Sequence, residues 1–462
     1  MSSRTNSGAP PPGPREGLRP SDSPQKSESV VLPPGARFTC HRCGDCCRSF
    51  PVSLTEAEKE RYGKRDWSQV LPGHSGPVFD VIERGGGRSA SLLKRRGDGA
   101  CIFLGADELC QIHAKLGAEE KPLACRLFPF TFIPGDEEDP RPRVGCHFAC
   151  KGLAAGDGAQ VQGERRALEE LARELSAVTP LEPRSDLVLF SKERSYARSE
   201  LAFASQLLAS ELQDAGRAFP ERILAATKFL DLFARSAFAQ VKDGKRREFV
   251  EILAQGVREQ VKKGLLKPSE KKPTFPERLL YRQILGMAVR RDSASLVTAG
   301  ALRRTSKRIS SFLSGIAFSA GGGSLIPAGR TKRVRLSDAR RLAPEADPAS
   351  PIADGALTRY FVAHLASRRV TDTSFKTRHV LAAYGLLFRQ YPAILLFARA
   401  ACLARDASEL DASDYASALR TADWTFGHIP WTAGVVGSAR RGLLEDLDAP
   451  FQHLAWSAKR PS

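Results

Sequence analysis

The chain has 462 residues, 42% hydrophobic and 26% charged, enough for a sizeable globular core and two or more domains. Lys and Arg exceed Asp and Glu by 18, so an anionic partner such as nucleic acid, a membrane surface or an acidic protein enters consideration. No run of about 18 uninterrupted apolar residues exists, since the nearest, Val380 to Leu403, is broken by Arg389, Gln390 and Arg399; a soluble protein is therefore expected.

Residues 1–35 are rich in Pro, Ser and Gly with few large apolar side chains, too little to offset the entropy cost of ordering them. A disordered tail is expected there. Its only apolar run, Val30-Val31-Leu32, is too short for an export signal, so a cytoplasmic location is expected. In a reducing compartment thiols serve as ligands or catalysts more often than as disulfides.

Residues 36–158 hold nine of the ten cysteines and read as a small metal-binding domain of short helices and irregular chain. It opens with Cys40-His41-Arg42-Cys43-Gly44-Asp45-Cys46-Cys47, and Cys101, Cys110, Cys125, Cys146 and Cys150 follow. C-x2-C-x2-C-C spacing suits metal ligation, because a three-residue step can aim successive sulfurs at one centre. Ile102, Phe103, Ile112, Phe128 and Phe130 flank the thiols and would exclude water, leaving thiolates that a cation must neutralise. Zinc and an iron–sulfur cluster each take four such ligands, and both stay open. Of the adjacent pair Cys46 and Cys47, one reads as a spare or second-site thiol. His41, His113 and His147 read as hydrogen-bonding neighbours rather than ligands. Overlapping capping patterns at Ser53–Glu56 and Thr55–Glu58 predict a helix from near Thr55 to about Tyr62.

Residues 159–462 read as a larger helical domain. Helices are expected near 163–177, 197–216, 220–240, 246–263, 276–291, 354–368, 376–405 and 412–424. Leu357, Tyr360, Phe361, His364 and Leu365 form one apolar stripe, which makes His364 a packing residue. Pro392 should kink or restart the long helix around it, and Cys402 reads as a small buried hydrophobe. Within the basic segment 258–341, 20 basic and 5 acidic side chains supply most of the chain's positive charge. There Gly321-Gly322-Gly323-Ser324 lacks the ending of a phosphate loop, so a loop or a short strand pair is expected. No aromatic interleaving or binding motif supports nucleic acid, so the basic side chains read as a solvated face or one that docks an acidic protein. Neither H-E-x-x-H, G-x-S-x-G nor a Rossmann glycine fingerprint is present, and no catalytic dyad identifies the chain as an enzyme. Oligomeric state leaves no mark on the sequence.

Taken together, C-x2-C-x2-C-C, then Cys101-Ile102-Phe103-Leu104, Leu109-Cys110-Gln111-Ile112-His113 and Lys121-Pro122 to Cys125-Arg126-Leu127-Phe128-Pro129 resemble the YkgJ-type cysteine-cluster family of zinc- or iron-chelating proteins. The resemblance spans about residues 38–150. It implies a cluster of Cys40, Cys43, Cys46, Cys47, Cys101, Cys110 and Cys125, framed by Pro122, Arg126, Phe128 and Pro129. The layout is also similar to flagellin lysine N-methylases, through Leu116-Gly117-Ala118-Glu119, Cys146 and the long helical region with Ala418-Leu419-Arg420 and Phe426-Gly427-His428. That similarity implies an iron–sulfur centre, S-adenosylmethionine as methyl donor and protein lysine N-methyltransferase activity, although Phe130 stands where the methylases tend to have Arg. Three functions are therefore expected in turn: a metal-binding cysteine-cluster protein, such a methyltransferase, or a zinc scaffold with a basic interaction face.

Overall fold

Thr55 starts a helix as its capping pattern predicts. Its hydroxyl accepts the Glu58 N–H at 3.2 Å while the Glu58 carboxylate accepts the Thr55 N–H at 2.9 Å. Ser53, the other candidate cap, is drawn into a strand instead. In the computed structural model the residues described are 29–83, 89–236, 240–241, 243–289, 306, 313, 316–342, 350–372, 379–424, 426 and 434–458. The fold is mainly α, 53% helical with 17 helices among the described residues, and a small cysteine-bearing lobe precedes a larger helical region.

The lobe and its flanks run β1 (Arg37–Phe38), α1 (Asp45–Ser49), β2 (Ser53–Leu54), α2 (Glu56–Lys64), β3 (Phe79–Glu83), β4 (Ser89–Leu93), α3 (Gln111–Leu116), α4 (Leu123–Leu127), β5 (Phe130–Ile133), β6 (Arg143–Cys146), α5 (Lys151–Ala155) and β7 (Ala159–Gln160). Strands β2, β4 and β3 form an antiparallel sheet in that order, β5 pairs with β6, and β1 pairs with β7. After a helix at Arg165–Ser176 (α6) and a hairpin of β8 (Leu187–Leu189) and β9 (Ser195–Ala197) come α7 (Arg198–Gln213), α8 (Phe219–Arg235), α9 (Arg246–Lys262) and α10 (Phe275–Val289). The remainder comprises β10 (Ser324–Leu325), β11 (Val334–Arg335), α11 (Leu336–Arg341), α12 (Pro351–Ala366), α13 (Val380–Phe388), α14 (Gln390–Leu403), α15 (Ala412–Asp423), α16 (Gly434–Leu444) and α17 (Ala449–Ala458).

Each helix expected after residue 159 is present, with ends shifted by a few residues. Pro392 acts as anticipated: its ring excludes the carbonyl four residues back, and the helix breaks between Phe388 and Gln390. Val380–Leu403 is long and apolar enough to pass for a membrane span by composition, yet it is wholly buried in the helical core. Arg389 at the break is fully buried, and it gives its guanidinium to the carbonyls of Gly385 and Leu444 and to Glu277. Gly385 is required there, because a Cβ would stand 1.6 Å from the Leu444 oxygen. The glycine-rich stretch forms a turn into the β10–β11 pair, the anticipated strand pair. The periodic pattern gave no sign of α11 behind it.

The buried apolar side chains sort into two cores. A small one gathers Val52, Leu54, Tyr62, Trp67, Val70, Val78, Leu93, Cys101, Phe103 and Ile112, with Cys47, Cys110 and Cys125 against its edge. The large one holds the helices, and also Val30, Leu32, Ala36, Phe130, Phe132, Val144, Cys146 and Phe148. Packing therefore passes from the small core to the large one between Cys125 and Leu127, just before the cis peptide bond Phe128–Pro129. Residues 1–28 of the expected tail lie outside the described residues. The rest of it differs from the expectation: Val31 donates to Pro142 O and accepts from Val144 N, and Val30 and Leu32 are buried. Val30 and Leu32 find cover in the large core while the Val31 backbone pairs with Pro142 and Val144, and these contacts offset the ordering cost.

Candidate metal centre

The first cysteine loop is shaped by backbone geometry. Gly44 has φ 65°, and a Cβ there would lie 2.4 Å from the Glu108 carboxylate, so the C-G-D-C turn needs glycine. Gly44 turns the chain into the single-turn helix α1, which carries Cys46 and Cys47. Arg95 fastens the end of that turn, donating to Cys47 O at 3.0 Å and Gly99 O at 2.8 Å and to the Phe50 carbonyl. The Cys101 N–H donates to the same Cys47 carbonyl at 2.9 Å, which sets the second cysteine segment beside the first.

Cys110 caps the start of α3, where Gln111 N donates to Phe103 O at 2.8 Å and the Leu104–Cys110 bridge folds the segment back on Cys101. Cys125 rides on α4. Glu58 reaches across from α2 to accept the Leu123 N–H at 2.6 Å, so one carboxylate caps two helices. Around them Tyr62, Trp67 and Phe103 pack with ring centroids 4.8 to 6.4 Å apart.

Three separate segments thus bring Cys46, Cys47, Cys101, Cys110 and Cys125 into mutual electrostatic reach. The Cys47 thiol donates to Cys46, which lowers Cys46 to about 7 and raises Cys47. Burial pushes Cys101 up to about 11 and Cys125 well upward. Arg95 counters this at Cys101, and Lys121 counters it at Cys46 and Cys125. Thiols buried this way do not ionise unaided, whereas a bound cation supplies the missing charge. The donor set, sulfur throughout in an apolar lining, fits a thiophilic metal. Among the described residues no three Cys, His, Asp or Glu side chains yet close on one point.

The remaining cysteines are placed differently. Cys43 and Cys150 lie within electrostatic reach of Cys46, and Cys150 packs against the large core. Cys146 is buried in the large core and faces Cys150 and Asp423. Cys40 is exposed at the mouth of the loop, and Cys402 is buried far along the chain with its sulfur 3.3 Å from Ala407 O and Glu409 O. The histidines fall beside the thiols in the chain: His41 Nε2 lies 3.1 Å from Asp157, and the His147 ring stacks on Phe128 at 6.3 Å. His364 is buried on its stripe as expected, with Nε2 3.1 Å from Asp423.

Helix α15 reaches into the lobe, a contact the sequence did not announce. Arg420 bonds Asp45 inside the cysteine loop, and Trp424 stacks on Phe50 with centroids 5.0 Å apart, which in turn packs on Phe128 at 5.0 Å. Asp423 accepts the Ala149 N–H at 3.3 Å between Cys146 and Cys150. Motif reading passed over Arg95 and Trp424, and it quoted Glu58, Lys121 and Arg420 without giving them a role at the site. Lys121 and Pro122 in the K-P-x-x-C pattern were the available signal, and the others are ordinary residues made relevant by folding.

Residues 39–147 match the model of the CxxCxxCC family, described as "Putative zinc- or iron-chelating domain", so over this segment the chain is similar to that cysteine-cluster family. No curated protein and no solved structure matches the chain, so the methylase likeness gains no support from relatives.

Proposed function

We propose that the chain is a metalloprotein whose cysteine lobe holds one zinc ion or one iron–sulfur cluster on Cys47, Cys101, Cys110 and Cys125, with Cys46 at the rim. The observation that carries this reading is the convergence of thiols from three segments on one small apolar core beside Arg95 and Lys121. When bound, the metal supplies positive charge that keeps the thiolates ionised. The chain's own residues do the rest. Arg95 and Lys121 offset the negative charge of a four-thiolate set, Tyr62, Trp67 and Phe103 exclude water, and Glu58 holds α4 so that Cys125 faces the others.

The test is metal, sulfide and absorption analysis of protein purified without oxygen. Near-stoichiometric iron with acid-labile sulfide and visible absorption identifies a cluster; colourless protein with near-stoichiometric zinc identifies the zinc form. Protein with neither metal overturns the reading.

A further inference from the structure

We infer that the connection between α9 and α10, residues 262–276, is a docking surface for an anionic lipid bilayer. The segment carries Lys262, Lys263, Lys267, Lys271 and Lys272 against the single acidic residue Glu270. All five lysines are exposed, and among the described residues none has a carboxylate partner. Elsewhere in the basic segment, by contrast, Arg258 pairs with Glu211 at 2.8 Å, Arg330 with Asp414 at 2.9 Å and Lys332 with Asp406, while Arg333 and Arg335 are exposed like the lysines.

Two large apolar side chains stand out among these lysines: Leu265 is 71% exposed and Phe275 66%. Both are held by helix ends. The α9 terminus closes with Gly264 at φ 69° and bonds from Gly264 N to Val261 O and from Leu265 N to Gln260 O, each 2.9 Å. In this terminator the residue at the Leu265 position usually folds back on the helix; here it projects into solvent instead. Phe275 is the first residue of α10, after Thr274, whose hydroxyl accepts the Glu277 N–H at 3.4 Å.

Fixed apolar groups amid unpaired ammonium groups match a bilayer better than a protein. Lysine is depleted in protein interfaces, whereas at a bilayer its stem lies along the apolar boundary and its charge stays hydrated among headgroups. Each ammonium near an anionic surface strengthens binding roughly fivefold.

The test is flotation of the full chain with vesicles of phosphatidylcholine alone and of phosphatidylcholine mixed with phosphatidylglycerol. Capture by the anionic vesicles alone, weakening with salt, is expected. Lys262→Ser with Lys263→Ser should weaken partition roughly thirtyfold. Leu265→Ser with Phe275→Ser should weaken it about tenfold while leaving its salt dependence in place. Phe275→Trp should shift its emission to the blue on vesicle addition. Metal content and melting equal to the parent show that the variants are folded and that the metal reading is untouched. Absence of capture overturns the proposal; so does capture indifferent to the Leu265 and Phe275 changes, or binding of duplex DNA as tight as of vesicles, since either marks a plain polyanion surface.

Discussion

The Glu58 carboxylate accepts the Leu123 N–H at 2.6 Å while still closing its own capping box at Thr55. One 7%-exposed side chain therefore couples the helix that frames the small core to the helix that carries Cys125. Glu58→Gln keeps the size of the side chain but weakens two charge-assisted bonds, and should cost about 2 kcal/mol in the lobe. Urea unfolding followed by Trp67 fluorescence checks the cost, and metal content should fall in parallel.

Serine substitutions should rank the thiols by place. Cys101→Ser and Cys125→Ser should abolish metal retention, and Cys40→Ser and Cys402→Ser should leave it intact. Metal per chain after gel filtration is the readout, and retention in Cys101→Ser counts against the proposed ligand set.

Trp424 stacks on Phe50 from the far end of the chain. Trp424→Ala should cost about 2 kcal/mol and speed metal loss to a chelator, because the loop after α1 loses its cover. Arg420→Ala should act in the same direction with a smaller effect, since Asp45 is partly exposed.

Acid sensitivity should arise where Glu277, Arg389 and His453 meet. Burial pushes Glu277 up, yet His453 and Arg389 outweigh it and hold it low; burial lowers His453, with Glu277 opposing. Both groups sit below their unfolded values. Each therefore contributes stability that is present above its unfolded value and is lost as pH falls, His453 from about 6.5 downward and Glu277 from about 4.3. Melting of the helical core should fall on acidification through both windows. His453→Phe, which preserves the stacking on Tyr281 at 4.2 Å, should flatten the upper one, and Glu277→Gln the lower.

Gly385→Ala should destabilise the helical core by at least ~3 kcal/mol, since the new methyl meets the Leu444 carbonyl at 1.6 Å and neither helix can yield without disturbing Arg389. Thermal unfolding checks this, and the cysteine lobe should keep its metal.

Much of the fold could be read from the chain because its signals are local. Thr55 and Glu58 state a helix start within four residues, and Pro392 dictates its break through its own ring. Spacing also marked the cysteines as one constellation. It could not sort them, because the partition depends on which core each segment joins: Cys125 and Cys146 look alike in sequence, yet one edges the small core and the other is sealed in the large one. The roles of Arg95, Arg420 and Trp424 escaped for the same reason, since their importance comes from partners 45 to 375 positions away.

The passage of the chain from one core to the other fixes an order of events during synthesis. The thiol-bearing segment is made early, but β6, which follows it and holds Val144, packs against α12, which is translated much later. The lobe's clamp, α15, is made later still, so a metal captured by the nascent lobe would at first be held without Arg420 or Trp424.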